Sequence, residues 1–160
     1  MLSPDTKHQE KWLIHCDGTS HPNPGRIGVG AVLIAPDGTR HTLSQATGTH
    51  GCNNEAEARA LIAALHTLRT LGCIESGTLL RIHCDSSVLV EQLGGANSEP
   101  IARLAHVFDE ARELLKNFRD VELLWVPRHR NSEADTLARA ALGLPSKAGV
   151  KPRPKKRYAR

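Results

Sequence analysis

With 160 residues, a formal net charge of +4 and only 3% aromatic residues, the chain suits a single domain whose core is built from Leu, Ile, Val and Ala. It has no apolar run of about 18 residues and no charged-then-apolar leader, which argues against a membrane span or a secretory signal and for a cytoplasmic protein. The charge is uneven. From Ser146 onward Lys147, Lys151, Arg153, Lys155, Lys156, Arg157 and Arg160 supply seven positive charges and no acid, so the +4 total leaves the first 145 residues at −3.

Residues 1–10 are polar and are expected to be flexible. Trp12-Leu13-Ile14-His15-Cys16-Asp17 and Val29 to Ala35, joined by His21-Pro22-Asn23-Pro24-Gly25, read as a hairpin of buried strands. Arg40 to Thr47, after the Pro36-Asp37-Gly38 turn, reads as a third, edge strand. Asn53 opens a helix running to about Leu71, stopped by Gly72, with Glu57 on the stripe formed by Leu61, Ala64, Leu65 and Leu68. Thr78 to Cys84 is a fourth strand, leading through Asp85-Ser86-Ser87 into a short helix that Gly94-Gly95 breaks. A longer helix is expected over 99–117, a last strand over 121–126, and a final helix over 131–142. The order β-β-β-α-β-α-α-β-α implies an α/β fold with a mixed sheet, and 145–160 reads as a disordered basic tail outside a domain of 11–144. The four cysteines show no zinc-like spacing; packing in a reducing compartment is the default reading.

An acid inside a buried strand needs a partner, because burying a lone carboxylate costs several kcal/mol. Asp17 is such an acid. Three more stand at element ends: Glu57, Asp85 and Asp135. Each alone has a local explanation. Glu57 lies three residues after Asn54 and Asp135 three after Ser132, the capping-box spacing, and Asp85 could cap a helix. Together, four inward acids ask for divalent cations, since clustered carboxylates repel unless positive charge holds them ionised. Hard oxygen ligands suit Mg²⁺ or Mn²⁺, and a pair of ions about 3.5–4 Å apart is the usual arrangement for phosphodiester cleavage.

Asp17-Gly18-Thr19-Ser20 with Asn23-Pro24-Gly25, then Asn53-Asn54-x-x-Glu57, Cys84-Asp85-Ser86, and Trp125-Val126-Pro127-Arg128-His129 with Asn131-x-x-x-Asp135, resemble the ordered motifs of the type 1 ribonuclease H family over about residues 11–143. The resemblance implies a ribonuclease H-like five-stranded sheet, three strands antiparallel and two parallel. It implies endonucleolytic cleavage of the RNA strand of RNA/DNA hybrids, leaving 3′-hydroxyl and 5′-phosphate ends. Asp17, Glu57, Asp85 and Asp135, with Gly18 beside them, match the site for two Mg²⁺ ions, which Mn²⁺ could replace. His129 matches the histidine that assists proton transfer or product release. Gly18, Asn23, Asn53, Asn54, Ser86 and Ser87 match substrate-contacting positions, and a monomer is expected.

Three departures stand out. A single residue separates His129 from Asn131, where relatives carry a longer, glycine-containing loop. The basic handle between the second and third helices is missing, and His50 and Cys52 replace an arginine and a threonine of a DNA-phosphate pocket. The basic tail is expected to substitute for the handle. Two other readings stay open: a 3′–5′ exonuclease of the same superfold, and a noncatalytic hybrid- or R-loop-binding module.

Overall fold

The computed structural model describes residues 10–72, 78–94 and 99–147. In chain order these form β1 (Lys11–His21), β2 (Gly25–Ile34), β3 (Arg40–Gly51), α1 (Asn53–Thr70), β4 (Leu79–Cys84), α2 (Ser87–Gly94), α3 (Ala105–Leu115), β5 (Asp120–Trp125) and α4 (Ser132–Ala141). The sheet order is β3-β2-β1-β4-β5, with β1, β2 and β3 antiparallel and β1, β4 and β5 parallel, as the α/β reading requires. The third strand is indeed an edge.

Strand β1 lies at the centre and feeds both faces by alternation. Ile14 and Cys16 turn to the α1 side, where they join Leu61, Leu65, Leu68, Leu80, Ile82, Cys84, Leu89 and Phe108 in one core. Asp17 turns to the other side, toward α4. Two glycines bring these helices close. A Cβ on Gly18 would collide with the Ala56 carbonyl of α1, and one on Gly30, the residue paired with Asp17, would collide with Ala134 and Ala138 of α4. Each helix can therefore lay its first turns against the acid-bearing strand.

Two elements depart from the sequence expectation. Strand β3 continues past Thr47 to Gly51, because Thr47 to Thr49 bulge opposite Ile27 before pairing resumes at Arg26↔His50. Gly48 takes the left-handed conformation there, and the Thr47 hydroxyl donates to the Ile27 carbonyl at 3.3 Å. The helix expected from Glu99 begins as α-helix only at Ala105. Ile101 stays extended to pack on the core, and a 3-10 turn over Ala102–Leu104 leads in. The expectations for residues 1–9, for Gly95, for Cys73 and for the tail beyond Lys147 lie outside the described residues. Among the described residues no helix is long and apolar enough to cross a membrane.

Candidate active site

Asp17, Glu57 and Asp85 come together, each offering a carboxylate oxygen within 4.8 Å of the others. Asp17 is 4% exposed, and a carboxylate oxygen of Glu57 is buried without a hydrogen-bond partner. Burial pushes the Asp17 carboxyl up to about 8, with the charges of Asp85 and Asp135 adding to the rise. Burial, followed by the charge of Asp17, drives Glu57 well above the usual carboxylate range. Asp85 is raised chiefly by burial and is held down by Arg128. Asp135 stands outside the three-acid group but close enough to act on Asp17. Three acids that repel one another, one with an orphaned buried oxygen, fit a divalent cation of the hard, oxygen-seeking kind.

The capping explanations for the acids fall away. Cys52, not Asn54, is the N-cap of α1, which puts Glu55 rather than Glu57 at the third position. Asn131 is the N-cap of α4, so Asp135 lies beyond the capping-box position. Ser86 caps α2 by accepting the Leu89 amide at 3.1 Å, which leaves Asp85 ahead of the helix. None of the three acids is a cap.

Asn23 and Asn53 are exposed and locked into one small network. The Asn53 side-chain oxygen accepts from the Ser20 amide at 3.1 Å, and the Asn23 side-chain oxygen accepts from the Asn53 amide at 3.1 Å. The Ser20 hydroxyl, itself buried, donates to the Gly51 carbonyl at 2.5 Å and accepts from the Gly25 amide at 2.9 Å. The 22–24 turn is thereby tied to the start of α1, one turn from Glu57. Asn54 is half-buried beside it, and Ser87 is exposed at the start of α2.

His129 is exposed on a 3-10 turn, Arg128–Arg130, and lines a cleft of about 220 Å³ with His15, Arg40, Arg130, Asn131 and Glu133. His15 and His83 meet edge-on with ring centroids 4.8 Å apart, and burial lowers both of their pKa values. Burial pushes the thiol of Cys84 up to about 11 and raises that of Cys16, in keeping with packing rather than metal ligation. Of the basic tail only Lys147 is described. Arg128 and Asn131 received no role from sequence, since the contacts that single them out are not local. An asparagine placed just before a helix was the available signal for the second.

A family model described as "Reverse transcriptase-like" matches residues 15–141. The crystal structure of RNase H1 from Halobacterium salinarum superposes with a TM-score of 0.74 at 36% identity, covering 83% of this chain and 98% of that one. The chain belongs to the type 1 ribonuclease H family. A second type 1 ribonuclease H structure, LC11-RNase H1 in complex with an RNA/DNA hybrid, superposes with a TM-score of 0.73 at 27% identity over 82% of this chain and 96% of that one. The bifunctional protein Rv2228c of Mycobacterium tuberculosis is 38% identical over 134 residues, 82% of this chain. This chain spans 35% of that protein's length, so what the rest of that protein does is not carried over.

Proposed function

We propose that this ribonuclease H hydrolyses the RNA strand of RNA/DNA hybrids internally, leaving 3′-hydroxyl and 5′-phosphate ends. The observation that carries the reading is the convergence of Asp17, Glu57 and Asp85 within 4.8 Å, with Asp135 beside them, on a fold shared with hybrid-bound LC11-RNase H1. Asp17, Glu57, Asp85 and Asp135 would hold two Mg²⁺ ions, with Mn²⁺ as a substitute. Divalent ions in such a site supply Lewis-acid stabilisation of phosphate charge and a nucleophile at neutral pH.

The chain's own residues do the rest. Asp17, Glu57 and Asp85 would give up protons on cation binding, because their raised affinity for protons comes chiefly from burial, with mutual repulsion adding to it. Asn23 and Asn53, with their side-chain oxygens held by backbone amides, have their NH₂ groups as the remaining donors. With Gly18, Asn54, Ser86 and Ser87 they form an uncharged edge suited to the shallow minor groove, where 2′-hydroxyls mark the RNA strand. His129, exposed on the turn that Arg128 opens, would carry a proton to or from the product.

The basic tail supplies phosphate contacts in place of the missing handle. Its point of departure favours this role: the Pro145 carbonyl accepts from Arg139 Nε at 2.8 Å and Ser146 hydrogen-bonds to Thr136 at 3.0 Å. The chain therefore turns back along α4 and leaves beside the residue that follows Asp135. A chain ending at Ser146 is expected to bind hybrid more weakly, with a shallower salt dependence, than the full chain. Equal affinity and slope would rule the tail out.

The reading is tested by end-labelled hybrid set beside single-stranded RNA, duplex RNA and duplex DNA, in Mg²⁺ and in Mn²⁺, with Asp85→Asn as control. Internal cuts in hybrid RNA alone, lost in the control, are expected. Stepwise trimming from an end would indicate an exonuclease, and binding without cutting a noncatalytic module.

A further inference from the structure

Asn131 is the N-cap of α4, where an asparagine side chain ordinarily accepts a hydrogen bond from the first turn. Here it makes none. It is 2% exposed, and its Nδ2 donates to the carbonyl of Cys16 at 2.9 Å, the residue before Asp17. Its own carbonyl accepts from the amide of Asp135 at 3.1 Å. One residue thus links the peptide beside the first acid to the helical turn that carries the fourth. Its amide also donates to the Arg128 carbonyl at 2.9 Å, which closes the turn bearing His129.

Apolar packing is concentrated at the far end of α4, where Leu137 and the buried Leu142 lie over Gly30 and Gly28, and is thin at its start. The buried residues of α4 are Ala134 and Ala138, set against the bare backbone of Gly30 and Gly28. Small side chains on glycine let a helix come close but do little to fix how far it slides or tilts. A directional hydrogen bond does. The other end of the same amide, Oδ1, is buried without a hydrogen bond of good geometry and has the half-buried His15 as its polar neighbour, so the side chain is turned inward rather than spent on the cap.

We infer that Asn131 is a positioning residue: its bond to the Cys16 carbonyl sets Asp135 against Asp17 and so completes the carboxylate group that receives the cations. The inference rests on the proposed ribonuclease activity for the reaction it assists, but the placement of the acids can be read without that reaction.

Asn131→Ser removes the reach to Cys16 while offering a hydroxyl that can cap the helix, which offsets lost stability without restoring the tether. Asn131→Ala removes the tether and offers no cap in its place. Mn²⁺ binding by calorimetry, hybrid turnover and the thermal midpoint would be measured for each variant and the parent, all well below the midpoint. Positioning predicts that Asn131→Ser keeps the midpoint of the parent within a few degrees, while Mn²⁺ affinity and kcat each fall about tenfold or more. KM for hybrid should stay within about twofold, because Asn23, Asn53 and Asn54 lie on the α1 side. A serine variant that binds Mn²⁺ and turns over like the parent would overturn the inference, as would a loss confined to KM. If the parent itself leaves hybrid uncut, the ribonuclease reading fails, and the Mn²⁺ titration still decides the role of Asn131.

Discussion

The two helices that bring acids to β1 are held in opposite ways. Helix α1 has 18 residues, nine of them buried, and its Leu61, Leu65 and Leu68 sit in the main core, so the position of Glu57 is a by-product of hydrophobic packing. Helix α4 has 10 residues and buries only Ala134 and Ala138, so the position of Asp135 depends on two glycines, on the buried Asn131–Cys16 hydrogen bond and on exposed polar ties from Ser44 to the Leu137 carbonyl and from Arg40 to Glu133. A core-anchored acid and a tethered acid should answer differently to mutation. Damage on the α1 side should be read mainly as lost stability, and damage on the α4 side mainly as lost function.

The largest effect expected on stability is on the α1 side. Leu61→Ala should cost about 2–5 kcal/mol of folding free energy, measured by urea titration, while the molecules still folded bind Mn²⁺ as the parent does. On the α4 side, Gly30→Ala pushes a methyl group into the backbone at Ala134 and Ala138, and kcat should fall about 100-fold with the helix displaced. If Gly30→Ala lowered stability alone and left kcat intact, the contrast between the helices would collapse.

The pH dependence of the metal-free protein sharpens the comparison at the acid that both helices touch. In the fold Asp17 keeps its proton up to about pH 8, whereas in the unfolded chain it ionises near its ordinary value of 3.8. Folding therefore takes up a proton between those values, and stability present at low pH is lost as pH rises through that window. The thermal midpoint of the metal-free chain should fall between about pH 4 and pH 8, and Asp17→Asn should lessen that fall, with Glu57 supplying the remainder, and raise the midpoint at pH 8. A midpoint that rises over this range would contradict the burial of Asp17.

The smallest effect belongs to the rim of α4. Arg40 and Glu133 form a two-pronged ion pair with both side chains about half exposed. Arg40→Ala should change stability by less than about 1 kcal/mol, less still in high salt. A larger loss would mean that this pair, and not Asn131, holds the start of α4.

What the sequence made legible follows the same division. Asp17 could be found because a strand interior offers an acid no cap, and Glu57 because it lies on a helical stripe whose other members are core leucines. The sheet, its edge strand and the order of elements came from periodicity, which is local. The start of α1 at Asn53 was legible, but its cap was not, because Ser20 and Asn23, about thirty residues upstream, engage Asn53 and leave Cys52 as the cap. The extension of β3 depends on a bulge opposite Ile27, and the inward turn of Asn131 on a carbonyl 115 positions away. These are tertiary choices.

The measurement that bears most directly on the account is calorimetric titration of Mg²⁺ into the metal-free chain at pH 7, in two buffers of different ionisation enthalpy. Because Asp17 and Glu57 are both held protonated by burial and must release protons to ligate, binding should expel about one proton or more per chain, and Asp17→Asn should lose part of the proton release and most of the affinity. Binding with no proton release, or with unchanged affinity in Asp17→Asn, would contradict a cation held by these carboxylates.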